Sequence, residues 1–239
     1  MKKNLGKMNI GVVIAIVLFI ITAAYVIVLN VSFSSKENGI KSFVKTFADD
    51  CCEANIGDMD TVTAKQRELV GKYFSGYETK VSERGMNDRV YTNDYMDQLY
   101  SFRSVFERHE TAYEQPGEIT ECNAELRSID VQKHGMNCAK VSASFIITMK
   151  TKGSYIIYSA CGFPTGNQLT DESGQMYKDA VFETVEKVNI EFILSPDNDS
   201  WKIDAVSQSH DGPTSFNAKL ISGEPLDPYF DEEEGGKNE

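Results

Sequence analysis

The sequence predicts an α+β domain that follows a membrane-spanning helix at the N-terminus. Three observations support this fold class: an uncharged apolar segment near the N-terminus, helical spacing of apolar residues up to about residue 109, and strand-like alternation beyond residue 117. Hydrophobic residues make up 41% of the chain and aromatic residues 10%, which is sufficient for a packed core. We therefore expect one transmembrane helix, about three further helices and an antiparallel sheet of four to five strands.

The apolar segment has the length of a membrane span. No charged residue lies between Lys7 and Lys36, and the stretch from Ile10 to Leu29 is almost entirely apolar. A helix of about 20 such residues crosses the roughly 30 Å hydrocarbon core of a bilayer. A cleaved signal peptide is the alternative, but its apolar region has only about 7–15 residues and ends at small residues. We predict an uncleaved transmembrane helix at residues 9-33, which makes the lipid bilayer the first partner.

Charge predicts the orientation of this helix. Lys2, Lys3 and Lys7 precede it without any acidic residue, and positively charged flanks stay in the cytoplasm. Residues 1-8 are then a cytoplasmic N-terminus, and residues 34-210 form an extracytoplasmic domain of a single-pass cell-membrane protein. All 36 Asp and Glu residues lie beyond residue 35, and the chain carries a net charge of −12. Direct nucleic-acid binding is therefore not expected, because such a surface repels phosphates.

Helical spacing predicts three helices in the first half of this domain. The first begins near Asn38 and ends near Gly57, with one apolar stripe formed by Ile40, Phe43, Val44, Phe47 and Cys51. The second extends from about Thr61 to Phe74. The third, from Thr92 to about His109, has an aromatic stripe that is more typical of a core than of a ligand site. Residues 76–92 are predicted to form a loop.

Alternation of period two predicts the strands. Residues 118–131 form a strand with a bulge between Leu126 and Ile129, because the apolar positions change phase there. Residues 139–150 form the clearest strand, and a tight turn at 151–153 leads back into a strand at Ser154–Cys161 with both faces covered. A polar loop at 162–175 follows. The last predicted strands, 187–194 and 201–205, flank a turn at 196–199.

The segment at 211-239 is predicted to be a C-terminal extension with a disordered acidic tail. Within it, Phe216, Leu220 and Ile221 suggest a short docking helix. From Gly223 onward the composition is polar and acidic, and it is typical of a solvated tail.

The sequence contains no spacing that is typical of a catalytic, cofactor-binding or metal site. The three histidines are far apart, and acidic pairs such as Glu183 with Glu186 are expected by chance among 36 carboxylates. Cys122, His134 and Cys138 resemble metal ligands but lack a second close pair, so we predict structural thiols. An odd number of cysteines, five, leaves at least one thiol free or paired between chains. We expect no cofactor, and we expect that the chain is not an enzyme.

The predicted element order resembles a known fold. Helices ahead of a curved antiparallel meander, which ends in the strand Trp201-Lys202-Ile203-Asp204, resemble the nuclear-transport-factor-2-like, or cystatin-like, fold over about residues 38–208. Together with the anchor, the chain resembles the inner-membrane assembly factor of type IV secretion and its counterparts in Gram-positive conjugation. That resemblance implies a cone-like, non-enzymatic scaffold that self-associates and contacts other membrane-complex subunits. The interface residues of that family vary, so none is carried over to this sequence.

Three functional hypotheses follow from these features. The first is the scaffold subunit of a transport or conjugation apparatus. The second is a ligand-binding or sensory domain whose concave pocket is lined by Phe145, Tyr155, Tyr158 and Trp201; a filled interior would count against it. The third is an enzyme resembling ketosteroid isomerase, with an acidic base and a tyrosine donor in one apolar cavity. The third requires an Asp or Glu within hydrogen-bond reach of a tyrosine inside the cone.

Overall fold

The computed structural model describes residues 10–75, 80–83, 89–90, 117–159, 164–210 and 216–226. These residues form an α+β structure in which two helices lie against a curled sheet that is antiparallel except for one parallel pair of strands. The helices are α1 (Ile10–Ala54) and α2 (Met59–Tyr73). The strands are β1 (Lys80–Glu83), β2 (Arg89–Val90), β3 (Glu118–His134), β4 (Cys138–Lys152), β5 (Tyr155–Ser159), β6 (Pro164–Gln168), β7 (Tyr177–Asp197), β8 (Ser200–His210) and β9 (Phe216–Pro225).

Helix α1 combines the apolar segment and the first predicted helix of the domain in one continuous helix of 45 residues. Its N-terminal part is long and apolar enough to cross a membrane, which is compatible with a single-pass membrane protein. Its C-terminal part is amphipathic and buries Ile40, Val44 and Phe47. The helix is not interrupted at the predicted boundary between residues 33 and 34, because no residue there stops it.

Helix α2 matches the second predicted helix. Asp58 caps its N-terminus by accepting a hydrogen bond from the Thr61 backbone N–H at 2.8 Å. A buried amide pair fixes α2 against the end of α1, since Gln66 Nε2 donates to Asn55 Oδ1 at 2.9 Å. The third predicted helix, Thr92 to about His109, lies outside the described residues.

The main sheet has seven described strands in the order β2-β1-β8-β7-β4-β3, and β9 also pairs with β7. Four of these seven strands were predicted, and β5, the fifth predicted strand, is not in this sheet; the other three are β1 and β2, which lie in the predicted loop at 76–92, and β9. Strands β8 and β9 follow one another along the same edge of β7: His210 pairs with Val188, and Phe216 pairs with Glu186. The predicted bulge is confirmed, since the register of β3 against β4 shifts between Leu126 and Ser128.

Strand β5 does not form the predicted hairpin with β4. It pairs instead with β6, a strand within the predicted loop at 162–175, and the two form a separate small sheet. The end of β4 turns away because the Gly153 N–H donates to the Ala180 carbonyl of β7 at 2.7 Å. The expectation that both faces of this segment are covered is confirmed, because Ile156, Ile157 and Tyr158 are all buried.

The predicted docking helix around Leu220 is wrong, because this segment is strand β9. Beyond the end of β8, the edge of β7 still presents backbone N–H and C=O groups, and β9 pairs with them from Tyr177 to Glu186. Local apolar spacing did not indicate this strand, because its stability depends on a partner far away in sequence.

The core lies between the concave face of the sheet and the two helices. Phe47 of α1 is at its centre, with its ring 5.8 Å from Phe192 of β7 and 5.0 Å from Tyr73 of α2, both edge to face. Inward residues of β4 and β7 complete the core: Val141, Phe145, Ile147, Met149, Phe182, Val188, Ile190 and Leu194.

Candidate functional site

A buried cluster of polar side chains lies where the small β5–β6 sheet meets strand β7 on the inner side of the curled main sheet. The Tyr158 hydroxyl donates a hydrogen bond to Glu186 Oε2 at 2.9 Å, and it accepts one from Asn167 Nδ2 at 3.0 Å. Tyr158 is 0% exposed and Glu186 2% exposed. A carboxyl group and a phenol in hydrogen-bond contact therefore share an interior that is otherwise mainly apolar.

Three strands position this cluster. Tyr158 and Asn167 lie on the paired strands β5 and β6, and Glu186 lies on β7. Along β7, the inward positions alternate through Phe182, Thr184 and Val188, so strand geometry places the Glu186 carboxyl toward the core. Glu186 also occupies the point where the partner of β7 changes from β9 to β8.

Burial controls the protonation of the cluster. Burial raises the pKa of Glu186 to about 7, although the hydrogen bond from Tyr158 partly opposes this change. Burial also raises the pKa of Tyr158 well above its usual value, and the neighbouring Glu186 charge adds to this effect. Near neutral pH the carboxyl group therefore exists in both protonation states, while the phenol keeps its proton. Such a pair can exchange a proton with a bound molecule, or donate to and accept from a neutral polar group.

The four predicted pocket residues do not form one lining. Phe145 and Tyr158 are buried in the core at 1% and 0% exposure, and Trp201 is buried at 8%. Trp201 pairs with Pro196 beside the β7–β8 turn, whereas Tyr155 follows the other end of β4 and is partly buried. Of the four, Tyr158 is the residue that the structure brings into contact with a carboxyl group.

Glu186 is the functional candidate that the sequence analysis missed. Its pairing with Glu183 in the sequence has no structural meaning, because Glu183 points outward and is exposed. The available signal was the phase of β7, since continuing the alternation of Val188 and Ile190 backwards places Glu186 on the apolar face. Tyr158 and Asn167 could not be linked to it, because the pairing of β5 with β6 is not evident locally.

A second polar cluster joins the two helices. Asp50 Oδ2 on α1 accepts hydrogen bonds from Lys72 Nζ and the Tyr73 hydroxyl on α2, both at 2.6 Å. Burial raises the pKa of Asp50, but the two hydrogen bonds outweigh it and leave the pKa below its usual value. Burial and the bond to Asp50 raise the pKa of Tyr73 to about 12. This cluster is partly exposed and stabilises the packing of the helices.

The predicted metal-like group is separated by the sheet. His134 and Cys138 pair across the β3–β4 turn, while Cys122 pairs with Met149 near the far end of the same strands. The described residues contain no group of three or more His, Cys, Asp or Glu side chains that could hold a metal ion. Cys51 and Cys52 are buried in the core, and Cys122 and Cys138 are partly buried. Cys161 lies outside the described residues.

Comparison with known proteins gives structural likeness only. No protein family and no curated protein matches the chain. Among solved structures, a protein from Novosphingobium aromaticivorans provisionally named scytalone dehydratase has a TM-score of 0.46 and 8% identity, over 82% of this chain and 97% of its own. A nuclear transport factor 2-like superfamily protein from Salmonella enterica has a TM-score of 0.43 and 10% identity, over 76% and 95%. Hexachlorocyclohexane dehydrochlorinase from Novosphingobium barchaimii has a TM-score of 0.39 and 6% identity, over 82% and 94%.

These neighbours correct one prediction. The prediction that the chain is not an enzyme is wrong as a conclusion from its architecture, because proteins of similar architecture include ones named as a dehydratase and a dehydrochlorinase. The identities of 6–8% assign neither activity to this chain. The α+β class and the curled sheet are as predicted, and none of the three neighbours described above is named as a type IV secretion protein.

Proposed function

We propose that this chain is a single-pass membrane protein whose folded domain acts as an assembly subunit of a membrane complex, of the kind found in type IV secretion and conjugation. In this proposal, Lys2, Lys3 and Lys7 hold the N-terminus in the cytoplasm, and the domain lies on the other side of the membrane. The observation that carries the proposal is the continuity of α1 from the apolar segment into the core.

A continuous helix gives the domain a fixed position relative to the bilayer. Helix α1 is about 68 Å long at about 1.5 Å per residue, and its last turns are packed in the core. Strand β3 also lies beside the part of α1 that precedes the core residues, where Leu29 and Phe33 of α1 are partly buried. Height and rotation of the domain are therefore set by the helix. Subunits of a ring or channel need this property, because their domains must meet in register, whereas a tethered sensor can function on a flexible linker.

The outer face of the sheet offers a surface for such contacts. In the described structure, a shallow hollow crosses β3, β4, β7 and β8. The carboxylates of Asp130 and Glu191 contribute to its polar lining, most of which consists of short uncharged side chains: Ser128, Ser142, Ser144, Asn189 and Ser207. Short side chains lose little conformational entropy on binding and permit close approach of another surface. The partner is either a second copy of the chain or another subunit of the complex.

Photocrosslinking in intact membranes tests this proposal. Benzoylphenylalanine at Ser142, which is exposed on the outer face, should give a discrete crosslinked product in the producing organism, and mass spectrometry should identify it as this chain or another membrane-complex subunit. The matched control is the same group at Glu172, which is exposed in the turn before β7. The assembly proposal is contradicted if Ser142 gives no discrete product, or only the products seen at Glu172.

A second candidate function, an enzyme site, is favoured by the Tyr158–Glu186 pair, which meets the requirement stated above for the enzyme hypothesis: an acidic residue within hydrogen-bond reach of a tyrosine inside the fold. A matching ligand would have an apolar body and one neutral hydroxyl or carbonyl group, because the core excludes a second charge. Thermal-shift screening of phenols and cyclic ketones against wild type, Tyr158→Phe and Glu186→Gln tests it. A compound that stabilises the wild type but neither variant supports this function. Equal shifts in all three proteins exclude the pair as the ligand site.

A further inference from the structure

The tip of the β3–β4 hairpin, residues 133–137, lies beside the apolar part of α1. The Tyr25 hydroxyl donates to Met136 Sδ at 4.0 Å, and Lys133 Nζ donates to Asn30 Oδ1 at 3.4 Å. These contacts join residues more than 100 positions apart in the chain. Neither contact lies in the packed core, so the β3–β4 hairpin and α1 touch at a second place outside the core.

Strand β3 runs antiparallel to α1 and leads toward the N-terminal half of this helix. Near the start of β3, the Gly57 N–H, just after α1, donates to the Ile119 carbonyl at 3.0 Å. Near the end of β3, Lys133 Nζ donates to Asn30 Oδ1 of α1. Asn30 is the first residue after the apolar run, and Tyr25 precedes it by five residues, or about 7.5 Å along the axis. Lys133 is therefore level with the end of the apolar run, while Met136 lies beyond this level, beside the run itself.

The side chains of the tip match the two layers that they would meet. Met136 is 68% exposed and is one of two large apolar side chains exposed outside α1 in the described structure, the other being Ile221. Lys133 carries a positive charge at the level where phosphate headgroups begin. Met136 lies beside the apolar run and Lys133 lies level with its end. This order suits a membrane interface, where apolar groups enter the bilayer by about 5–10 Å and lysine ammonium groups remain at its surface.

We propose that the hairpin tip is a second membrane contact, with Met136 inserted in the outer leaflet and Lys133 at the headgroups. This inference rests on the proposed membrane anchoring of α1. The bilayer would then be contacted at two points, which would restrict tilting of the domain relative to the membrane. The contact also explains why an apolar side chain occupies an otherwise polar turn.

Tryptophan quenching by brominated phosphatidylcholine tests this proposal in the full-length protein reconstituted in nanodiscs. Three variants are compared with the wild type, whose only tryptophan, Trp201, is 8% exposed and supplies the baseline. Met136→Trp probes the hairpin tip, and Tyr25→Trp probes the apolar part of α1. Glu172→Trp is the control, at an exposed position just before the start of β7, whereas the hairpin tip lies near the end of β7. Each added tryptophan replaces an exposed side chain, so the fold should be retained.

The expected result is loss of most of the added emission at positions 25 and 136 in brominated lipid, with no loss at 172. If position 136 is quenched no more than position 172 while position 25 is quenched, the hairpin contact is refuted and the anchor stands. If position 25 is also unquenched, both the hairpin contact and the membrane anchor are refuted.

Discussion

Burial favours the neutral form of Glu186. Its carboxyl group lies on the inward face of β7, and Tyr158, which donates a hydrogen bond to it, is itself buried. Because burial raises the pKa of Glu186 to about 7, the folded protein binds a proton that the unfolded chain, with a pKa near 4.5, releases earlier. The stability from this proton is complete below about pH 4.5 and disappears as the pH rises through about 7.

The variant Glu186→Gln should remove this pH dependence. Glutamine keeps an acceptor for the Tyr158 hydroxyl but cannot ionise, so at pH 8 we expect the variant to be more stable than the wild type by roughly 3 kcal/mol. The difference should disappear near pH 4. Urea unfolding in detergent, followed by Trp201 fluorescence, measures the free energy of unfolding at each pH.

Glu183→Gln is the matched control for this prediction, since Glu183 lies on the same strand but is exposed. It should leave the pH dependence unchanged. A wild-type stability that is flat between pH 5 and pH 8 would contradict the proposed protonation of Glu186.

At the scale of elements, the turn from β4 into β5 depends on a close backbone contact. The Gly117 N–H donates to the Tyr155 carbonyl at 2.6 Å, and a Cβ atom at Gly117 would come within 2.6 Å of the Lys152 carbonyl oxygen. This contact fixes the beginning of β3 against the point where the chain leaves the main sheet. The separate β5–β6 sheet, and with it Tyr158, depends on this geometry.

Two glycine-to-alanine variants separate this contact from general backbone effects. Gly117→Ala should lower the free energy of unfolding by about 1–3 kcal/mol, because neighbouring backbone must move. Gly71→Ala, at an open position in α2 with no atom within 4 Å, should raise it by about 0.5–1 kcal/mol through helix propensity. Thermal unfolding of both variants measures the two changes, and equal effects would show that the contact at Gly117 is unimportant.

At the scale of the whole molecule, α1 continues without a break from the apolar segment into the folded domain, and in the proposed arrangement it connects the membrane to the domain. Inserting Gly-Ser-Gly-Ser-Gly-Ser after Lys36 should abolish the discrete crosslink at Ser142, because the domain then loses its fixed height and rotation. The domain itself should still unfold cooperatively, as measured by Trp201 fluorescence, because the core begins at Ile40. The control is Lys36→Ala, which keeps the helix. Unchanged crosslinking after the insertion would show that a rigid connection is not needed for assembly.

The sequence by itself determined the features that depend on local spacing. A long uncharged run is sufficient to identify a helix that can cross a membrane, and alternation is sufficient to locate β4 and the bulge of β3, because each pattern reflects neighbours within a few residues. The stripe from Ile40 to Cys51 and the second helix were predictable for the same reason.

The tertiary structure alone decided the features that depend on distant partners. Nothing local indicates that β9 completes the edge of β7, that β5 leaves the main sheet for β6, or that Tyr158 meets Glu186. Whether a strand forms, and whether a carboxyl group is buried, depends on which surface covers it, and that surface comes from elsewhere in the chain. The candidate site therefore follows from the fold, whereas the helix that is apolar enough to cross a membrane follows from a single stretch of sequence.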